Sequence, residues 1–403
     1  MSIHSNAPRE CTRCLYTEEH PLGLILDSAG ICSGCRVHEE KDYLDWQQRR
    51  LMLQEIVDGY KLRQSHNYDC IVPVTGGQDS FFIAHTVIHQ LGLNPLLVNF
   101  NRNFNSGVGI RNLAVLRSSF AADYRQFTIN PQIARKVIKT TLANLGTLNW
   151  LSIAGQTSFP VRVAAEMRIP LIIWGAHQGL EQVGMFSHLD EVEMTSRYRK
   201  EHDLMGIDEK SIFQFDPDFT EEDICSLQYP DDSILLNQDI RGIYLGNYIR
   251  WDPVTQHELM RENYGYMGMR SSRTYYQFDN PDCPVYNEFQ DYLKQLKIGY
   301  GKITDQLSRD IRHGRISRNK ALTLRRQFQG VAPSKVQEFA NWLGISVTSL
   351  DTLLLRHSKT FSESILSENW RGQTMQLIAM KHKKNIQPNM LIDSDYLNFG
   401  KGI

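Results

Sequence analysis

Two stretches of the sequence join residue type and spacing in ways that carry chemistry. The first is a pair of knuckles, Cys11-x-x-Cys14 and Cys32-x-x-Cys35, with 17 residues between them. Four thiolates in two tight pairs can surround one tetrahedral ion, usually zinc. Reduced cysteines without metal, or an iron–sulfur cluster, are the alternatives. Four protein ligands leave no open position, so a zinc held there would be structural. The second stretch is Val74-Thr75-Gly76-Gly77-Gln78-Asp79-Ser80. Its two glycines let the backbone turn tightly and approach a ligand closely. A helix starting after the turn would aim free N–H groups and its positive dipole end at that ligand. A phosphate chain fits such a place. The backbone from Gly76 to Ser80, with the Thr75 and Ser80 hydroxyls, forms the expected cradle. Asp79 would serve a Mg²⁺ or cap the helix. No Gly-Lys-Ser/Thr follows and there is no G-x-G-x-x-G, so neither common phosphate loop is present.

The elements around these stretches must hold them in place. The loop follows the apolar run Cys70–Val74. Further strands are expected at Pro95–Phe100, Tyr124–Phe127 and Leu171–Trp174. Helices are expected at Ser80–Leu91, Gly109–Phe120, Pro131–Leu145 and Thr157–Arg168. Such alternation predicts an α/β fold, a parallel sheet with helices on both faces. Ligands of these sheets bind at the carboxyl ends of strands, where the glycine turn and Gly175 both lie. His177 and Glu181 follow Gly175. Glu181 is a candidate Mg²⁺ ligand and His177 a candidate acid or base, with ordinary polar loop residues as the alternative. The expected organisation is a cysteine module over 1–45, a nucleotide-binding α/β domain over 46–215, and a mixed, then helical region over 216–403. Residues Ala340 to Leu350 have the look of a helix-turn-helix, but two packed helices explain them equally well. No basic face follows the turn, so nucleic acid is not an expected partner.

Length and composition bound the rest. A chain of 403 residues, 41% hydrophobic and 22% charged, suits two or three domains with cores of their own. Apolar runs such as Ile169–Trp174 are too short to span a bilayer. The start, Met-Ser-Ile-His-Ser-Asn, has no signal pattern. The expectation is a cytoplasmic protein without a membrane partner. Between Lys294 and Ile403 there are 18 Lys+Arg against 8 Asp+Glu, or +10; the total of −1 leaves −11 for the rest. The basic third could face an anionic substrate, RNA or an acidic partner, or be a solvated helical surface.

The glycine loop resembles the Ser-Gly-Gly-x-Asp-Ser loop of the ATP pyrophosphatases, the PP-loop superfamily with its adenine nucleotide alpha hydrolase-like fold. Thr75 stands where serine is usual, and Gln78 where lysine is common. Later segments extend the likeness: Ile172-Ile173-Trp174-Gly175, Arg241 through Asp252, Asp291-Tyr292-Leu293-Lys294, Lys297 through Asp305, and Asp310-Ile311-Arg312-His313-Gly314-Arg315-Ile316-Ser317-Arg318. From Cys11 to about Trp370 the chain is similar to the N-acetyl sugar amidotransferase family of bacterial surface-polysaccharide (lipopolysaccharide, O-antigen) synthesis. The resemblance implies ATP, Mg²⁺ and a structural Zn²⁺. It implies a reaction in which the acetamido oxygen of a nucleotide-linked N-acetyl sugar is adenylated and replaced by nitrogen from ammonia. Among the basic residues of the late segments, Lys302 and Arg312 are the chosen catalytic candidates, with Lys297, Arg315 and Arg318 beside them; shaping a helical turn is the alternative role. No glutaminase elbow surrounds Cys70, Cys225 or Cys283. A separate glutaminase, with a cyclase-like subunit, is the implied ammonia source. The rival resemblance is to tRNA-thiolating PP-loop enzymes, with Cys225 or Cys283 carrying sulfur.

Overall fold

The computed structural model describes residues 8–61, 67–278 and 281–358. Its centre is one sheet of β1 (Cys70–Pro73), β2 (Pro95–Asn101), β3 (Asp123–Thr128), β4 (Leu171–Trp174) and β5 (Arg241–Tyr244). The spatial order is β3-β2-β1-β4-β5, and every neighbouring pair is parallel. The chain runs outward from β1 to β3, then returns to lay β4 and β5 on the other side. Connections leave β1 and β4 in opposite directions, which opens a crevice at their carboxyl ends.

Helices cover both faces. In chain order they are α1 (Ser33–Tyr43), α2 (Trp46–Lys61), α3 (Gln78–His85), α4 (Gly107–Ser119), α5 (Pro131–Leu145) and α6 (Trp150–Met167). The short α7 (Ser196–Tyr198), α8 (Glu221–Ile224) and α9 (Asp232–Asn237) precede α10 (Pro253–Tyr264), α11 (Pro284–Ile298), α12 (Lys302–Arg312), α13 (Arg318–Phe328), α14 (Val336–Leu343) and α15 (Val347–Leu355). Strand residues alternate between two cores. Ile71, Val98 and Ile172 pack with Val137 of α5, Ala154 of α6 and Phe289 of α11. Val72, Leu97 and Ile173 pack with Val57 of α2, Phe81 of α3, Leu116 of α4 and Met260 of α10. A strand buried on both faces needs an unbroken apolar run, which is why β1 and β4 are legible as such. The edge strand β3 instead carries Asp123 and Arg125, charges that discourage further pairing.

The four expected strands are present, and β5 is an addition beyond residue 215. Only Gly242 and Ile243 of β5 are buried, too short a run to read as a strand. The α/β layer therefore draws on the region expected to be separate, and α10 packs on α3. Residues 340–350 form α14, a turn at Gly344 (φ +70°) and α15. Phe339, Ala340, Leu343, Leu350 and Leu354 are buried in the same core as α5 and α11, so these are packed helices. Trp370, the expected limit of the family likeness, lies outside the described residues. No helix among the described residues is long and apolar enough to cross a membrane.

Candidate active site

The glycine loop closes on itself through its hydroxyls. The Thr75 N–H donates to Ser80 Oγ at 2.8 Å, and the Gly77 N–H to Thr75 Oγ1 at 3.3 Å. Gly76 has φ +82°, the left-handed region that a side chain disfavours. A Cβ there would also stand 3.3 Å from Leu113 of α4. Gly77 is the N-cap of α3 and supplies no side-chain cap. Asp79 sits in the first turn instead, so it is not the N-cap residue. The start of α3 thus offers backbone donors at the carboxyl end of β1, the geometry that suits an anion.

Across the crevice, β4 ends at Trp174 and Gly175. A Cβ on Gly175 would meet Ile83 of α3 at 2.9 Å and the Trp251 ring at 3.1 Å, so the strand end sits tightly against both. Beyond it, Glu181 is buried and accepts from Lys41 Nζ at 2.6 and 2.8 Å. Burial alone would push the Glu181 carboxyl up; the Lys41 ammonium outweighs it and holds the pKa below the usual range. Glu181 is therefore an ionised group already neutralised by a partner.

The third wall comes from α12. Lys302, Asp305 and Arg309 recur at i, i+3 and i+7, which puts them on one helix face. With Gln78, Asp79, Gln178, Glu181, Gln182 and Trp251 they line one polar cavity of about 290 Å³; Ala176, Pro253, Tyr276 and Phe278 complete it. Asp305 is held by Lys294 Nζ at 2.5 Å and by the Tyr16 hydroxyl at 2.9 Å. Burial opposes its ionised form, but the Lys294 charge prevails and lowers its pKa.

The expected metal ligands converge. The sulfurs of Cys11, Cys14, Cys32 and Cys35 all lie within 4.8 Å of one another, and all four residues are buried. Zn–S bonds of about 2.3 Å in a tetrahedron place sulfurs roughly 3.8 Å apart. The Cys11–Cys35 and Cys14–Cys32 separations, 4.0 and 3.5 Å, bracket that value. The N–H groups of Arg13, Cys14 and Cys32 donate to Cys11 Sγ, as a thiolate invites. The cluster is compatible with a zinc site.

The structure separates the remaining expected residues. Arg312 lies beneath the sulfurs, 3.7 Å from Cys32 Sγ, and donates to the Glu181 and Gln182 carbonyls at 3.2 and 2.8 Å. It braces the cavity wall from behind and does not line it. His177 sits on the other side of the β4 end; its Nδ1 accepts from the Gly179 N–H at 3.1 Å. Lys297 donates to the Leu145 and Gly146 carbonyls, Arg315 pairs with Asp252 and Asp310, and Arg318 binds the Cys14 carbonyl and Glu10. Of the five basic candidates named above, Lys302 is the one on the cavity wall. Arg309 and Lys41 were not read from sequence. The seven-residue spacing from Lys302 was a usable signal for Arg309; nothing local marks Lys41.

Residues 271–375 match the family model of the LPS biosynthesis protein WbpG-like, C-terminal domain. Among solved structures, an NMN synthetase from Francisella tularensis is similar, at 10% identity and a TM-score of 0.29, over 54% of this chain and 95% of that one. The strand order above, rather than so low a score, defines the fold. A search of curated proteins gives no match. The match of residues 271–375 to this domain of LPS biosynthesis proteins bears out the likeness of the chain to the N-acetyl sugar amidotransferases of surface-polysaccharide synthesis.

Proposed function

We propose that the protein is an ATP-dependent amidotransferase that turns the N-acetyl group of a nucleotide-linked sugar into an acetamidino group. One observation carries this reading. The glycine loop and the WbpG-like segment line the same cavity: Gln78 and Asp79 come from one, Lys302, Asp305 and Arg309 from the other. A phosphate-binding loop and a polysaccharide-synthesis domain that share a cavity belong to one reaction.

An amide oxygen is a poor leaving group, and adenylation remedies that. The oxygen attacks the α-phosphorus of ATP, the bond to the β-phosphate breaks, and pyrophosphate leaves. Ammonia then adds to the activated carbon, a proton departs from nitrogen, and AMP leaves with the original oxygen. The backbone at the start of α3 holds the phosphates, and the charges of Lys302 and Arg309 oppose the negative charge that develops as pyrophosphate leaves. Asp79 would hold Mg²⁺, which would neutralise phosphate charge. Glu181, bound by Lys41, orients its loop rather than serving as that ligand. The cysteine cluster holds structural zinc. Ammonia comes from a separate glutaminase with a cyclase-like subunit.

The thiolation alternative finds little support. Cys283 is buried, donates to the Phe104 carbonyl at 2.8 Å, and is pushed up to about 12 by burial. Cys225 is exposed, and neither cysteine lines the cavity. The deciding assay is release of AMP and pyrophosphate that requires both an N-acetylated nucleotide sugar and an ammonium salt. Release that instead requires tRNA and a sulfur donor would overturn the reading.

A further inference from the structure

A second cavity, of about 160 Å³, opens at the carboxyl ends of β4 and β5, on the opposite side of the β4 end from the glycine loop. Trp174, Tyr198, Tyr229 and Tyr244 form its aromatic wall, and it shares Ala176 and Gln178 with the first cavity. The two spaces therefore meet at the end of β4.

Three side chains of this wall keep a buried polar atom for which the described residues supply no partner: Trp174 Nε1, His177 Nε2 and the Tyr229 hydroxyl. Such atoms cost free energy unless something enters to bond them. His177 is 2% exposed. Because its Nδ1 accepts from the Gly179 N–H, the neutral ring carries its hydrogen on Nε2. Burial keeps that ring neutral, with a pKa pushed down to about 3. Trp174 can only donate. The wall therefore asks for a guest with acceptor oxygens.

The guest is uncharged. The cation in this wall, Arg199, is consumed by Glu209 at 3.1 Å, the Ala154 and Leu227 carbonyls and Thr157 Oγ1. Asp203 is driven toward its neutral form by burial, against the pull of Arg199. A phosphate belongs with Lys302 and Arg309 in the first cavity. Size decides further. The cavity equals several waters at roughly 30 Å³ each, yet falls short of the roughly 300 Å³ at which pockets for drug-sized ligands begin. It holds one ring and not a whole nucleoside.

We infer that this aromatic pocket takes the N-acetylated sugar ring of the substrate, whose acceptor oxygens bond Trp174 Nε1–H, His177 Nε2–H and the Tyr229 hydroxyl, and presents the acetamido group past Ala176 to the first cavity. The inference rests on the amidotransferase reading, and two separate readouts tell them apart. Calorimetry would measure binding of UDP-N-acetylglucosamine, UDP-N-acetylgalactosamine, UDP-glucose and ATP to the full chain and to the conservative variants Trp174→Phe and Tyr229→Phe, with melting curves as the check on folding. Each variant should bind the acetylated sugars about fivefold or more weakly, as loss of a hydrogen bond dictates, and ATP unchanged. Unchanged sugar binding in both variants overturns the pocket. A loss confined to ATP overturns it too, since the wall would then hold adenine. Absence of AMP release by the unsubstituted protein with every acetylated sugar counts against the reaction instead.

Discussion

Lys41 and Glu181 have side chains only 1% and 7% exposed, so each depends on the other. Replacing Lys41 with methionine would strand a buried carboxylate and should cost about 3–5 kcal/mol, read as a lowered urea midpoint. The depressed pKa values of Glu181 and Asp305 carry a sign. Their contribution is present above the unfolded carboxylate pKa, near about 4, and is lost as pH falls through the lower folded value. Asp203 runs the other way. Burial raises it to about 7, so between about 4 and 7 the folded chain holds a proton that the unfolded chain has released. Stability falls as pH rises across that window. Asp203→Asn should melt higher than the parent at pH 8, and the gap should close toward pH 4. Lys302 lines the cavity beside the glycine loop; on the proposed reaction, Lys302→Ala should lower kcat for AMP formation by about a hundredfold while the melting temperature barely moves.

At the scale of elements, α1 packs closely against the 179–183 segment and the Arg312 side chain of α12. A Cβ on Gly34 would stand 2.4 Å from Arg312 Nη2 and 2.6 Å from the Gln182 carbonyl oxygen. Gly34→Ala should therefore push α1 off the Gln182 carbonyl and displace the Arg312 guanidinium, costing about 1–3 kcal/mol in denaturant titrations. The sequence exposes α12 only in part. Its Lys302–Arg312 segment reads as helical and basic, but Thr304, Gln306 and Ser308 are fully buried polar residues that no hydrophobic pattern reveals. Arg312 and Lys302 look alike in sequence; ten residues along a helix turns them to different neighbours, one to sulfur and one to the cavity. The buried strands β1 and β4 and the four cysteines were legible because an apolar run and a fixed spacing are local signals. Edge strand β5 and the Lys41–Glu181 pair, 140 residues apart, are products of tertiary packing and leave no local trace.

At the scale of the molecule, the cysteine cluster is tied into the site and is not an appendage. Arg312 joins its sulfurs to the carbonyls of Glu181 and Gln182, and Tyr16 between the knuckles binds Asp305. Removal of metal by a chelator should lower the melting temperature by several degrees and reduce ATP turnover together. Metal analysis of the purified protein and a melt with and without chelator check the first. A melt unchanged by chelation, with no metal found, would count against zinc.

The ties between the knuckles and α12 also set an order of events. Leu15 bonds Ser308, Tyr16 bonds Asp305 and the Cys14 carbonyl bonds Arg318, across 293, 289 and 304 residues of chain. On the ribosome the four cysteines emerge long before the helix that seals them. Their thiols must stay reduced, or already hold their ion, through most of synthesis. Contacts of such long range form late and slowly. The joint that braces this cavity is thus among the last to close, and the cavity is complete only after the WbpG-like segment has been made.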